Sequence, residues 1–164
     1  MRTLIRRHPG ATADEMANFI KDSVSRFQPK RLIIFAGCND IGRAHLDGRT
    51  DNDVVDSVMR MAMEGKKHGC DDIHVSSILT RKEHKYVEMI KRVNTMLETC
   101  CQEEGINYLD HSVITNDHIS WDGLHPNANG TTILKMNILS CFTGFNPYLT
   151  SFYDDYEYAF HGYQ

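Results

Sequence analysis

An α/β fold, with a parallel sheet covered by helices on both faces in three layers, is the architecture this sequence predicts, and two observations predict it. Helical and extended patterns alternate over residues 12–109, and the first extended run, Arg31 to Ala36, is short and continuously apolar after its arginine. Such alternation is what strand-helix-strand crossovers leave in a sequence, and continuous apolar runs mark strands buried on both faces. A chain of 164 residues, 41% hydrophobic and 24% charged, is sized and composed for one globular domain.

The elements follow in order. Thr12 to Phe27 sets Met16, Phe19, Ile20, Val24 and Phe27 at helical spacing, and Glu15 stands three residues after Thr12, as a capping box requires. Pro29 ends that helix, and the apolar run from Arg31 to Ala36 reads as a buried strand. A second helix spans Asp53 to His68 through Val54, Val55, Val58, Met61 and Ala62, with Gly69 at the C-terminal cap. Ile73 to Leu79 is the next strand. Tyr86 to Glu104 carries Ile90, Val93, Met96, Leu97 and Cys100 on one helical stripe, stops at Gly105, and gives way to the strand Ile106 to Leu109. Pro126 suits a first helical position, so a last helix runs from there through Ile133, Leu134, Met136, Ile138 and Leu139.

This places a domain over residues 1–141 and an aromatic-rich, acidic tail over 142–164. Nine of the fifteen aromatic residues fall in those last 23 positions, beside Asp154, Asp155 and Glu157. A docked strap and an interaction segment are both compatible with that composition.

Several function classes are disfavoured. A net charge of -4 gives no basic excess for neutralising phosphates, so no nucleic-acid partner is expected. No apolar run approaches the ~20 residues that span a bilayer, and Met1 to Arg7 has no apolar leader core, so a cytoplasmic protein without membrane contact is expected. The five cysteines are odd in number and form no Cys-x-x-Cys pair, which predicts free thiols. His118, Asp122 and His125 are of metal-ligating type, but a hydrolytic motif accounts for two of the three, and neither metal nor cofactor is expected. The methionines Met59, Met61, Met63, Met89, Met96 and Met136 read as core filler.

On a parallel sheet, ligands bind beyond the carboxyl ends of the strands, and two segments there carry catalytic residue types. Gly37-Cys38-Asn39-Asp40 follows the first buried strand; its asparagine amide can donate to a developing oxyanion, although the same residues also make an ordinary strand-end turn. Asp122-Gly123-Leu124-His125 precedes the last helix. A carboxylate three residues before a histidine can reach Nδ1 and orient a general base, although it can equally cap the helix.

Taken in order and context, these blocks resemble those of the SGNH/GDSL hydrolases. There a GxND block follows the third strand and a DxxH block precedes the last helix, and His8-Pro9-Gly10-Ala11-Thr12 is similar to the family's second block. The resemblance covers about residues 3 to 140. It implies a flavodoxin-like SGNH fold, His125 as base, Asp122 as its orienting carboxylate, and Asn39 with the Gly10 backbone N–H as oxyanion donors. It also implies a serine nucleophile in a Gly-Asp-Ser block after the first strand, and no residue before Gly10 matches it. The nucleophile is therefore unassigned; Ser23, Ser76 and Ser77 match no such block, and Cys38 stands where the family has no nucleophile.

The family strand order is 2-1-3-4-5, so Thr3 to Arg7 would be strand 2 and the first strand would be missing from the centre. The expectation is a carboxylic-ester hydrolase domain acting on a small ester or acylated substrate, weak or inactive as written. Its alternative is a non-catalytic binding or assembly module. In either, a partner chain or self-association through the incomplete sheet could close the central slot.

Overall fold

The structure, a computed structural model, describes residues 4–142. Its elements are α1 (Ala13–Phe27), β1 (Arg31–Ile34), α2 (Cys38–Asp47), α3 (Asp51–Lys67), β2 (Asp72–Ser76), α4 (His84–Glu104), β3 (Asn107–Leu109) and α5 (Ala128–Leu139), with a single 3₁₀ turn at Asn116–His118. The three strands are parallel in the order β1-β2-β3. Leu32 pairs with Ile73 and Ile34 with Val75; Val75 in turn pairs with Tyr108. This is the α/β parallel-sheet class that the alternating pattern predicts.

Side-chain alternation along the strands assigns the layers. Ile34, Ile73 and Val75 point into one core with Val24 of α1, Val54 and Val58 of α3, and Val93 and Leu97 of α4. Phe35, the next residue after β1, lies on the other side, edge-on to the His111 ring at 6.0 Å between centroids. His111 Nδ1 is 3.1 Å from the Asn137 amide nitrogen of α5. Leu134 of α5 joins Leu79, Ile114 and Ile119 in a second, smaller core. The sheet is therefore sandwiched, with α1, α3, α4 and the buried residues of α2, Ile41 and Ala44, on one face and α5 on the other.

Caps explain where the helices start. Thr12 accepts the Glu15 N–H, and the Glu15 carboxylate accepts the Thr12 N–H at 2.7 Å, completing the capping box of α1. Thr50 and Asp53 repeat the device for α3, which is why that helix starts at Asp51, three residues before its apolar stripe.

The structure departs from the sequence expectation at three points. Gly37 to Asp40 is no free loop: Gly37 is the N-cap of α2, a helix the apolar periodicity does not reveal. Residues 4–7 form no strand, and Leu4 and Ile5 are exposed. A strand needs a hydrogen-bonded neighbour ~4.8 Å away, and no described strand lies beside them. The last helix starts at Ala128 because the Asn127 side chain caps the Gly130 N–H at 3.0 Å, which leaves Pro126 extended opposite Ile119. The aromatic tail, beyond Phe142, lies outside the described residues.

Candidate active site

Gly37 holds φ at +99°, a left-handed backbone that turns the chain sharply out of the strand region into α2. A Cβ there would also lie 2.6 Å from Ile78 Cδ1, so the bend is packed as well as turned. The bend sets Cys38, Asn39 and Asp40 in the first turn of α2. Asn39 Nδ2 donates to the Ala11 carbonyl at 2.9 Å. Asp40, 0% exposed, accepts the Ala13 N–H at 2.9 Å and Arg49 Nη1 at 2.9 Å. Arg43 Nη2 donates to the Gly10 carbonyl at 2.9 Å. Three contacts, from Asn39, Asp40 and Arg43 of α2 to Ala11, Ala13 and Gly10, thus lace the start of α2 to residues 10–13, so Asn39 and Gly10 share one corner of the molecule.

The second block is a tight loop closed at its base by the Ile119–Pro126 bridge and by the Ser120 N–H bonded to the His125 carbonyl at 2.7 Å. Inside it, Asp122 Oδ2 lies 2.6 Å from His125 Nδ1. Its other oxygen accepts from the Ser120 hydroxyl at 2.7 Å, the Leu124 N–H at 2.9 Å and the His125 N–H at 3.0 Å. Burial works to raise the Asp122 carboxyl, but the bonds from His125, the Leu124 N–H, Ser120 and the His125 N–H outweigh it. They hold the group well below the usual carboxylate range. An ionised carboxylate only accepts, so the proton between the two groups belongs to Nδ1 and the unprotonated nitrogen of the neutral ring is Nε2. That is the tautomer in which Nε2 can take a proton from a nucleophile.

Sequence reasoning missed the residues that join the two blocks. Arg81, in the loop after β2, donates through Nη2 to the Cys38 carbonyl at 2.5 Å. Its neighbour Lys82 donates its backbone N–H to the Gly123 carbonyl at 3.0 Å. A buried arginine in a loop has no periodic signal, and a single basic residue between elements reads as solvated surface. Arg81 and its neighbour Lys82 thus tie the first turn of α2, which carries Asn39, to the loop that carries Asp122 and His125. His118 turns elsewhere: its Nδ1 is 3.1 Å from the Thr115 N–H nitrogen and from the Thr115 hydroxyl, which closes the 3₁₀ turn. Ser120, the serine nearest the base in sequence, is bonded to Asp122.

A family model described as the GDSL-like lipase/acylhydrolase family matches residues 2–133. No curated protein matches the chain. Among solved structures, a GDSL-like lipase from Bacteroides thetaiotaomicron is similar at 19% identity with a TM-score of 0.70, over 79% of this chain and 69% of that one. An acetylxylan esterase from Geobacillus stearothermophilus is similar at 16% identity with a TM-score of 0.68, over 84% of this chain and 69% of that one. At these identities the structural likeness establishes the fold alone.

Proposed function

Since the chain belongs to the GDSL-like lipase/acylhydrolase family, we propose that it supplies the base and oxyanion half of an acyl-ester hydrolase site. The observation that carries this reading is the 2.6 Å contact between Asp122 Oδ2 and His125 Nδ1, which prepares the imidazole as a proton acceptor. His125 takes the proton of an attacking hydroxyl and returns it to the leaving alcohol; Asp122 holds the ring and stabilises the imidazolium. Asn39 Nδ2, with one N–H engaged by Ala11, keeps a second N–H for the tetrahedral oxyanion, and the Gly10 N–H is its companion donor.

The sequence contains no Gly-Asp-Ser, so the family's nucleophile is not among these 164 residues and the chain alone is weak or inactive. That same observation favours a second reading, in which the fold serves as a non-catalytic binding module for an ester, an acyl group or a partner chain. All five thiols are free, which suits a reducing compartment, and on that ground we place the protein in the cytoplasm.

The test is hydrolysis of short-chain aryl esters by the chain as it stands. Without a nucleophile, binding and the oxyanion hole leave at most ~10³–10⁴-fold over water, so turnover stays close to background. Rapid multiple turnover abolished by Cys38→Ala would overturn the reading by placing the nucleophile on a thiol.

A further inference from the structure

Arg81 is 7% exposed, and among the described residues no carboxylate pairs with it. Arginine is seldom buried without such a pair, because an uncompensated charge is costly to hold away from water. Arg31 shows the contrast: its guanidinium is paired with Asp72 at 2.6 Å.

What the Arg81 guanidinium holds is backbone. Nη2 donates to the Cys38 carbonyl at 2.5 Å, in the first turn of α2. Its plane is confined from two directions. The Tyr86 ring centroid lies 4.8 Å from Cζ, and a Cβ on Gly42, one turn further along α2, would stand 3.1 Å from Nη2 and 3.2 Å from Nη1. A planar guanidinium seated this way keeps little freedom of its own. The next peptide makes the second link: the Lys82 N–H donates to the carbonyl of Gly123, which stands between Asp122 and His125 in sequence, at 3.0 Å. The bonds of Asn39 and Asp40 to Ala11 and Ala13 fix α2 against the Gly10 corner. Arg81 and Lys82 fix it against the base loop.

We propose that Arg81 is a positioning residue of the ester-hydrolase site: by holding the Cys38 carbonyl while the following peptide holds Gly123, it sets the gap between the Asn39 amide and His125. The oxyanion donor and the base must serve the same carbonyl group, and a misplacement of ~1 Å costs on the order of 10²-fold in rate. Arg81 acts on that gap and not on the reacting atoms. The purpose of the link rests on the ester reading; the link itself is a property of the folded chain.

The experiment compares amide exchange and amide shifts in the ¹⁵N-labelled wild-type chain, Arg81→Met and Arg81→Lys. In Arg81→Met the Lys82 N–H is expected to exchange at least ~10-fold faster, the size of one lost hydrogen bond. The Leu124 and His125 amides, both bonded to Asp122, are expected to shift. Val75 of β2, corrected for any change in global stability, is expected to stay as it is. Arg81→Lys still presents a donor to the Cys38 carbonyl and is expected to recover part of the Lys82 protection. A role in stability alone would move all these amides together. Lys82, Leu124 and His125 unmoved in a folded Arg81→Met chain, or moved only in step with Val75, overturns the proposal; so does a Lys82 amide as fast in Arg81→Lys as in Arg81→Met. If Arg81→Met does not fold, the wild-type chain decides under rising urea. The Lys82 N–H must then open with the same urea dependence as the Ile41 N–H of α2, and independent opening refutes the link. The readout contains no ester, so it stands or falls apart from the hydrolysis test.

Discussion

His111 shows at the scale of one residue how a side chain can fix an element and at the same time make the fold sensitive to acid. It is 2% exposed, bonded through Nδ1 to Asn137 of α5, and its Nε2 has no partner among the described residues. Burial lowers it from 6.5 to about 4, against a smaller opposing pull from Asp110. A buried base with a depressed folded pKa binds fewer protons than the unfolded chain between those values. Its stabilising contribution is therefore complete above about pH 6.5 and is lost as pH falls towards about 4. The loss attributable to this group is roughly 3 kcal/mol, at 1.36 kcal/mol per unit. Urea unfolding at a series of pH values should show that slope in the wild-type chain and a flatter one in His111→Phe; equal slopes would refute it. Asp122 behaves differently, since its depressed carboxyl keeps its contribution down to much lower pH. Of these two residues only Asp122 has a motif around it in the sequence; His111 is a lone histidine after a strand, and nothing in its neighbours announces burial.

Elements with a long apolar stripe and a cap are legible in the sequence itself. α1 has Thr12 and Glu15 at the spacing of its box, and α4 carries Ile90, Val93 and Leu97 in the core as the stripe requires. α2 is hidden because only Ile41 and Ala44 of its ten residues are buried apolar groups, and Gly42 weakens its helical pattern. Gly42 lies 3.1 Å, measured from an ideal Cβ, from Arg81 Nη2, so the residue that obscures the helix is the one that admits the arginine. The seat of α5 is equally silent. A Cβ on Gly130 would collide with the His118 backbone carbonyl, so α5 is pressed directly on the 3₁₀ turn next to the Asp122–His125 loop. Gly130→Ala forces the helix off that turn and should cost ~1–3 kcal/mol, the range for overpacking a close contact. A denaturation midpoint unchanged from wild type would mean that the turn and the helix are not in such contact.

Across the molecule, the sheet order β1-β2-β3 leaves one side of β1 without a strand partner among the described residues. Strand order and parallel sense are legible because sequential crossovers place neighbours in turn, whereas a strand at residues 4–7 depends on a neighbour that the described chain does not place there. The same side of the molecule bears on the chemistry. A family-like segment carrying Gly-Asp-Ser would bring a hydroxyl to the base and a ladder to β1 in one step, so stability and activity are predicted to rise together. The decisive measurement is therefore the ester-hydrolysis rate, taken with a melting curve, of a chain with such a strand fused before Met1, and of its Asn39→Ala and His125→Ala variants. The account predicts that the fusion melts higher and hydrolyses aryl esters, that Asn39→Ala lowers turnover ~10²–10³-fold with little change in melting, and that His125→Ala costs at least as much. A fusion that gains stability yet stays inert, or one whose activity survives His125→Ala, would contradict it.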